Sequence, residues 1–255
     1  MSAAALAVHQ FRYDQKAFWR NPASVFFTVM FPVVLLVIFN LLFGNQRIEG
    51  LGVETSTYYV PAIITLAVIT ATAQSLAISL TQDREMGLLK RVRGTPLPPA
   101  SFIGGRIGNS LIVSVMMLVL LALLGRVAYG VEIPFERLPA VLVTLVVGAI
   151  AFSCIGFALT VLIPSRDAAP PIVNAALLPL YFISGVFVPE DEIPSGVLDF
   201  AGLFPIRHFF EAFFEAWDPS TSGAGFEWGD LAVVAAWGLV GLVVALRWFR
   251  WEPSR

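Results

Sequence analysis

Six long runs of this chain carry no charged side chain: residues 23–43, 58–80, 107–125, 140–163, 170–189 and 231–246. About 20 apolar residues in a helix span the hydrocarbon core of a bilayer. Five of the runs reach that length comfortably. The last is shorter, but Trp228 and Trp248 flank it, and aromatic rings favour the membrane interface. None of the runs shows the polar stripe that a water-soluble bundle needs. Only 13% of the residues are charged, against roughly 25% in soluble proteins. The expected fold is an all-α integral membrane domain of six transmembrane helices covering residues 1–255. The formal net charge of −2 argues against a nucleic-acid partner.

Basic residues orient the spans. With the N-terminus in the cytoplasm, the inner segments hold twelve of the sixteen Lys and Arg residues and the outer segments hold Arg47, Arg126, Arg137 and Arg207. This positive-inside bias predicts that both termini are cytoplasmic. No cleavable signal peptide is expected, because the first apolar run is too long for a signal core and no small-residue cleavage site follows it.

Ahead of the first span, Arg12, Lys16 and Arg20 share one helical face, while Ala7, Phe11 and Phe18 share the other. This pattern predicts an amphipathic helix of residues 1–22 at the bilayer interface, ended by Asn21-Pro22. Between the fifth and last runs, Pro205 to Trp217 also reads as amphipathic. Arg207, Glu211 and Glu215 lie on one face, and Phe210, Phe213, Phe214 and Trp217 on the other. Such an outer segment can lie on the leaflet or re-enter the bundle. The loop from Pro164 to Ala169 is so short that the spans beside it are expected to be antiparallel neighbours.

The second and third runs are joined by a densely charged hairpin containing Asp83, Arg84, Glu85, Met86, Gly87, Leu88, Leu89, Lys90, Arg91, Val92 and Arg93. Thr81 or Asp83 can cap a helix start, acids sit near its positive end, and Gly94 and Pro96 stop it. The reading is a helix of about ten residues across the membrane surface. Gly87 would let a partner's backbone approach. An apolar centre ringed by charge resembles a protein interface. A hairpin whose cations only fix topology fits the same residues equally well.

Glu85-Met86-Gly87 and Arg91-Val92-Arg93-Gly94-Thr95-Pro96-Leu97-Pro98 resemble the hairpin of ABC-2 type transporter permeases, the membrane subunits of ATP-driven exporters. Residues 178–189, Ile193-Pro194 and Phe204-Pro205-Ile206-Arg207-His208 resemble the late span and outer segment of that family. Phe11 to Pro22 resembles its connecting helix. The likeness covers nearly the whole chain and is nearest to daunorubicin-resistance-like efflux permeases. It implies that Asp83 to Leu89, Arg91 and Arg93 form a coupling helix docked on a separate ATPase subunit. The connecting helix, with Phe11, Arg12, Lys16, Phe18 and Arg20, would touch that ATPase too. It further implies two permease chains with two ATPase copies in a bacterial cell membrane. Spans one and five would flank a pathway for an amphipathic drug-like or lipid substrate. Phe31, Asn40, Asn174, Pro179, Phe182 and Gly185 are the pathway and hinge candidates.

Catalytic chemistry is not expected in the chain itself. Its two lysines, Lys16 and Lys90, are not preceded by Gly, so it has no P-loop, and ATP and Mg would be bound by the partner. No ionisable residue lies deep in a run, which argues against a proton antiporter. In-span polar residues such as Asn40, Gln74 and Asn174 read mainly as packing hydrogen bonds worth about 0.6 kcal/mol each. Cys154 has no partner cysteine. His208 is read as structural and no metal site is expected, since His9 is far away in sequence and no ligand cluster is evident. Two alternatives remain: a polysaccharide or glycolipid exporter of the same architecture, and a membrane anchor that recruits a cytoplasmic protein without transport.

Overall fold

The structure is a computed structural model that describes residues 12, 15, 16, 18–43, 46–48, 52–94, 99–221 and 223–249. Phe11 and the side chain of Arg93 fall outside that description. Among the described residues the regular elements are helical, apart from one isolated bridge between Arg47 and Glu54.

Arg12 and Lys16 are helical and, with Arg20, point outward, while Phe18 packs against the core. Ala7 and Phe11 of the expected apolar face lie outside the described residues. After Asn21, span one climbs through a helical turn at Pro22–Val25, a π turn at Phe26–Met30 and α1 (Phe31–Phe43). Span two has the same build: α2 (Thr55–Ile69), a π turn at Thr70–Gln74 and α3 (Ser75–Glu85). The short α4 (Leu88–Arg93) leads into span three, α5 (Pro99–Tyr129). Span four is α6 (Leu138–Leu159). Then come α7 (Ala169–Ile183), α8 (Ser195–Ala201), α9 (Pro205–Trp217) and the last span, α10 (Trp228–Trp248).

Among the described residues, five helical stretches are long and apolar enough to cross a membrane, rather than the six expected. The exception is α7. Its fifteen residues rise about 22 Å, short of a hydrocarbon core about 30 Å thick. Gly185 ends the expected fifth span early. Its backbone turns into the left-handed region at φ 82°, which favours glycine. Gly185 therefore closes the helix instead of kinking its interior. Spans two and three, by contrast, overrun their apolar runs, because the helix continues into charged residues at the hairpin.

Span two is the centre of the bundle. Its apolar window is 78% buried, against 22% for span one and 28% for the last span. It packs on spans one, three and four, on α7 and on α9. It also stands between span four and α7, so the short 164–169 loop does not make those two helices close neighbours as expected.

Lipid tails are as apolar as leucine, so helices in a membrane are held by close packing more than by hydrophobic exclusion. The last span meets span four through Gly238 and Gly241. A Cβ on Gly241 would sit 2.9 Å from the Cys154 carbonyl carbon, and one on Gly238 2.8 Å from Ala151 Cα. Gly156 on span four accepts the π turn of span two just as closely, with a Cβ there only 2.8 Å from the Ala73 oxygen. The amphipathic α9 re-enters the bundle. Phe209, Phe210, Phe213 and Trp217 are buried, and the Phe209 ring fills the space over Gly148.

Candidate functional site

The hairpin is built differently from the single helix expected. The helix of span two continues through Asp83, Arg84 and Glu85 and breaks at Met86-Gly87. Gly87 has φ 70°, and a Cβ there would meet nothing within 4 Å. Its role in the fold is therefore the left-handed turn itself. The separate helix is only Leu88–Arg93.

The hairpin residues divide by direction. Arg84 points inward and is 4% exposed. Its guanidinium donates to the Thr160 oxygen at 3.0 Å and the Ile163 oxygen at 2.6 Å, and pairs with Glu85 at 3.2 Å. Those carbonyls belong to the turn that ends span four, where the Thr160 oxygen also accepts from Ile163 N–H at 3.4 Å, so Arg84 helps cap that helix end from another helix. Asp83 pairs with Arg106 on span three, joining the two legs of the hairpin. Leu89 is buried with Leu76, Leu80, Phe102, Phe157 and Ala245, which come from spans two, three, four and the last. Met86, Lys90 and Arg91 face outward, and Met86 is 53% exposed. The result is a rigid knob whose root grips four spans and whose tip offers one apolar side chain between cations. Sequence reasoning did not single out Arg106, because the ion pair with Asp83 spans 23 residues.

A cavity of about 270 Å³ lies beside the knob, between spans one and two and α7. Both π turns line it, through Phe27 and Thr28 and through Thr70 and Gln74. A π turn widens a helix by one residue and often marks a functional site. Gln74 donates to Asn174 across the cavity wall at 3.0 Å, and Ser75, Ser79 and Gln82 add further neutral polar groups. Of the pathway candidates, Asn174 is here. Phe31 packs against the core, and buried Asn40 bonds back to Leu36 O at 2.9 Å. Pro179 is exposed within α7, and Phe182 stacks edge-on to Phe187 with ring centroids 5.0 Å apart. Gly185 accepts a hydrogen bond from the Tyr58 hydroxyl. None of these five lines the cavity. The sequence gives no sign of the π turns, which is why Thr28 and Thr70 escaped it.

At the opposite end of the bundle a polar cluster ties the 190–192 turn, α9 and the last span together. Arg207 reaches Glu211 at 2.6 Å, Glu190 at 3.2 Å and the Leu198 oxygen at 2.6 Å. His208 lies 2.7 Å from Asp230 and 2.8 Å from the Gly202 oxygen. Burial and the charge of Glu211 push the Glu190 carboxyl up to about 7 despite Arg207. Burial opposes the charging of His208, but its hydrogen bonds to Asp230 and Gly202 O, with the charges of Asp230 and Glu211, raise its pKa overall. His208, Glu211 and Asp230 bring one possible ligand atom each to within 4.8 Å of one another. Asp230 was missed because it sits 22 residues away, at the start of the next helix.

These features define a multi-pass helical membrane protein with a surface knob and, beside it, a small cavity of mixed polar and apolar lining. Residues 9–216 match the ABC-2 type transporter family, and the chain belongs to that family. It is similar to the daunorubicin resistance ABC transporter permease protein DrrB1 of Streptomyces coeruleorubidus, 26% identical over 96% of this chain and 85% of that one. It is also similar to the putative transport permease YvfS of Bacillus subtilis, 20% identical over 91% and 92% of the two chains. The inner membrane transport permease YadH of Escherichia coli is 24% identical over 81% and 83%. The chain is thus the permease subunit of an ABC-2 type transporter.

Proposed function

We propose that this permease exports an amphipathic drug-like or lipid substrate from the cytoplasm or inner leaflet of a bacterial inner membrane, driven by ATP bound with Mg on a separate ATPase. Two ATPase copies and a second permease chain complete the transporter. The knob is the coupling element, both termini face the cytoplasm, and α7 with the 184–189 turn takes the place of a sixth span. The observation that carries this reading is the division of the knob. Its root is fixed to four spans through Leu89, Arg84 and the Asp83–Arg106 pair, while Met86 and Arg91 are presented outward. A push on such an element moves the bundle as a body, as a two-state switch requires. Among the described residues, those lining the adjacent cavity offer amide and hydroxyl groups beside apolar surface and no charge, which suits an amphipathic guest. ATP-dependent flux of a fluorescent amphiphile in proteoliposomes containing the chain and its ATPase tests the reading. Flux should vanish when the ATPase cannot hydrolyse ATP. A chain that binds its ATPase yet moves no amphiphile would instead be an anchor, or an exporter of another substrate class.

A further inference from the structure

The cluster at the end opposite the knob carries an inference independent of transport. The Gly202 carbonyl can only accept, so His208 Nε2 bears a proton and donates to it across 2.8 Å. In neutral imidazole this leaves the lone pair on Nδ1. That nitrogen faces two carboxylates, with Asp230 Oδ1 at 2.7 Å and Glu211 Oε2 at 3.9 Å. A lone pair held against two anions needs a proton or a metal ion between them. Metal-bound histidines commonly donate their second N–H to a backbone carbonyl, as this one does.

Geometry and charge both fit a metal. A four-coordinate zinc ion about 2.0–2.1 Å from each ligand sets ligand atoms about 3.3 Å apart. The two observed separations bracket that value, and the three candidate ligand atoms all lie within 4.8 Å of one another. The other oxygen of Glu211 is held by Arg207 Nε at 2.6 Å, an outer-shell bond that fixes the carboxylate. Glu211 and Glu190 share the one guanidinium of Arg207, and Asp230 lies against His208 instead, so a divalent ion between Glu211 and Asp230 meets two carboxylates. All three ligand side chains are about one-fifth to one-quarter exposed, which leaves a path for entry.

We infer that His208, Glu211 and Asp230 bind one divalent transition-metal ion of the zinc class, pinning the re-entrant α9 to the start of the last span. One imidazole and two carboxylates suit zinc better than magnesium or calcium, which take oxygen ligands alone.

The chain has two histidines, His9 and His208, which makes the test clean. Co²⁺ is titrated into the purified full-length chain, free of any affinity tag, and followed by visible d–d absorption. The expected result is one equivalent bound per chain, displaced by Zn²⁺ but not by Mg²⁺. His208→Gln and Asp230→Asn should each weaken binding at least tenfold, while His9→Gln leaves it unchanged. Zn²⁺ should raise the Tm of the parent chain, and a chelator should reverse the rise. If one variant does not elute as the parent does, the other decides. Absence of saturable Co²⁺ binding to the folded parent overturns the assignment and leaves His208 as an imidazolium paired with Asp230. So does binding that survives both substitutions.

Discussion

At the residue scale, two positions of the hairpin carry most of the local logic. Arg84 is the clearer one. Its buried guanidinium satisfies two carbonyls at the end of span four, and hydrogen bonds to a charged group are worth about 1.5–3 kcal/mol each. Arg84→Ala should lower the Tm in detergent, and Arg84→Lys should recover little of it, because a point charge cannot span both acceptors. A Tm equal to the parent's would show that the cap is not structural. Gly87 is the second. Since a Cβ there has open space around it, a substitution costs only its left-handed backbone, about 1–2 kcal/mol for an ordinary residue. Asn visits that region more readily than Ala, so thermal stability and transport should rank Gly87 first, then Asn, Ala and Val. The family resemblance drew the eye to Arg84 and Gly87 for a different purpose. The charge of Arg84 was plain in the sequence, but its inward direction was not, since its acceptors lie 76 and 79 residues away.

At the scale of elements, the long apolar helices and α9 were legible because composition and periodicity report them directly. The shortened α7 was not. Its apolar run continues to Pro189, and only the left-handed turn at Gly185 ends the helix early. The seam between span four and the last span was hidden as well, because a glycine in an apolar run does not announce which helix it will touch. Gly241→Leu should separate that seam and lower the yield of folded protein several-fold. Gly229→Ala, where a new Cβ meets nothing within 4 Å, serves as the neutral control. Equal yields for the two variants would remove the seam from the account. The polar cluster adds a pH dependence. Folding raises the Glu190 pKa from 4.5 to about 7. The folded protein therefore keeps a proton that the unfolded chain has released within that interval. This contribution to stability is complete below about pH 4.5 and is lost as the pH rises through 7. With metal removed by a chelator, the raised pKa of His208 acts with the same sign. Stability should fall between pH 6 and pH 8, on the order of 1–2 kcal/mol, and Glu190→Gln should flatten much of that slope. A melting series across this interval is the measurement.

At the scale of the whole molecule, burial is distributed unevenly. Span two is enclosed, while spans one and last leave most of their surface for lipid or another chain. The enclosed span is also the one that runs unbroken from its π turn to the knob, so movement of the tip has a direct route to the cavity wall at Gln74. That route makes the tip the place to test the account. Met86→Asp combined with Arg91→Glu changes two outward side chains and leaves Arg84, Leu89 and the Asp83–Arg106 pair in place. Flux should be measured with this variant in proteoliposomes beside the ATPase. The account predicts a chain that inserts and melts like the parent but exports at least tenfold more slowly. Export at the parental rate by the folded double variant would contradict it.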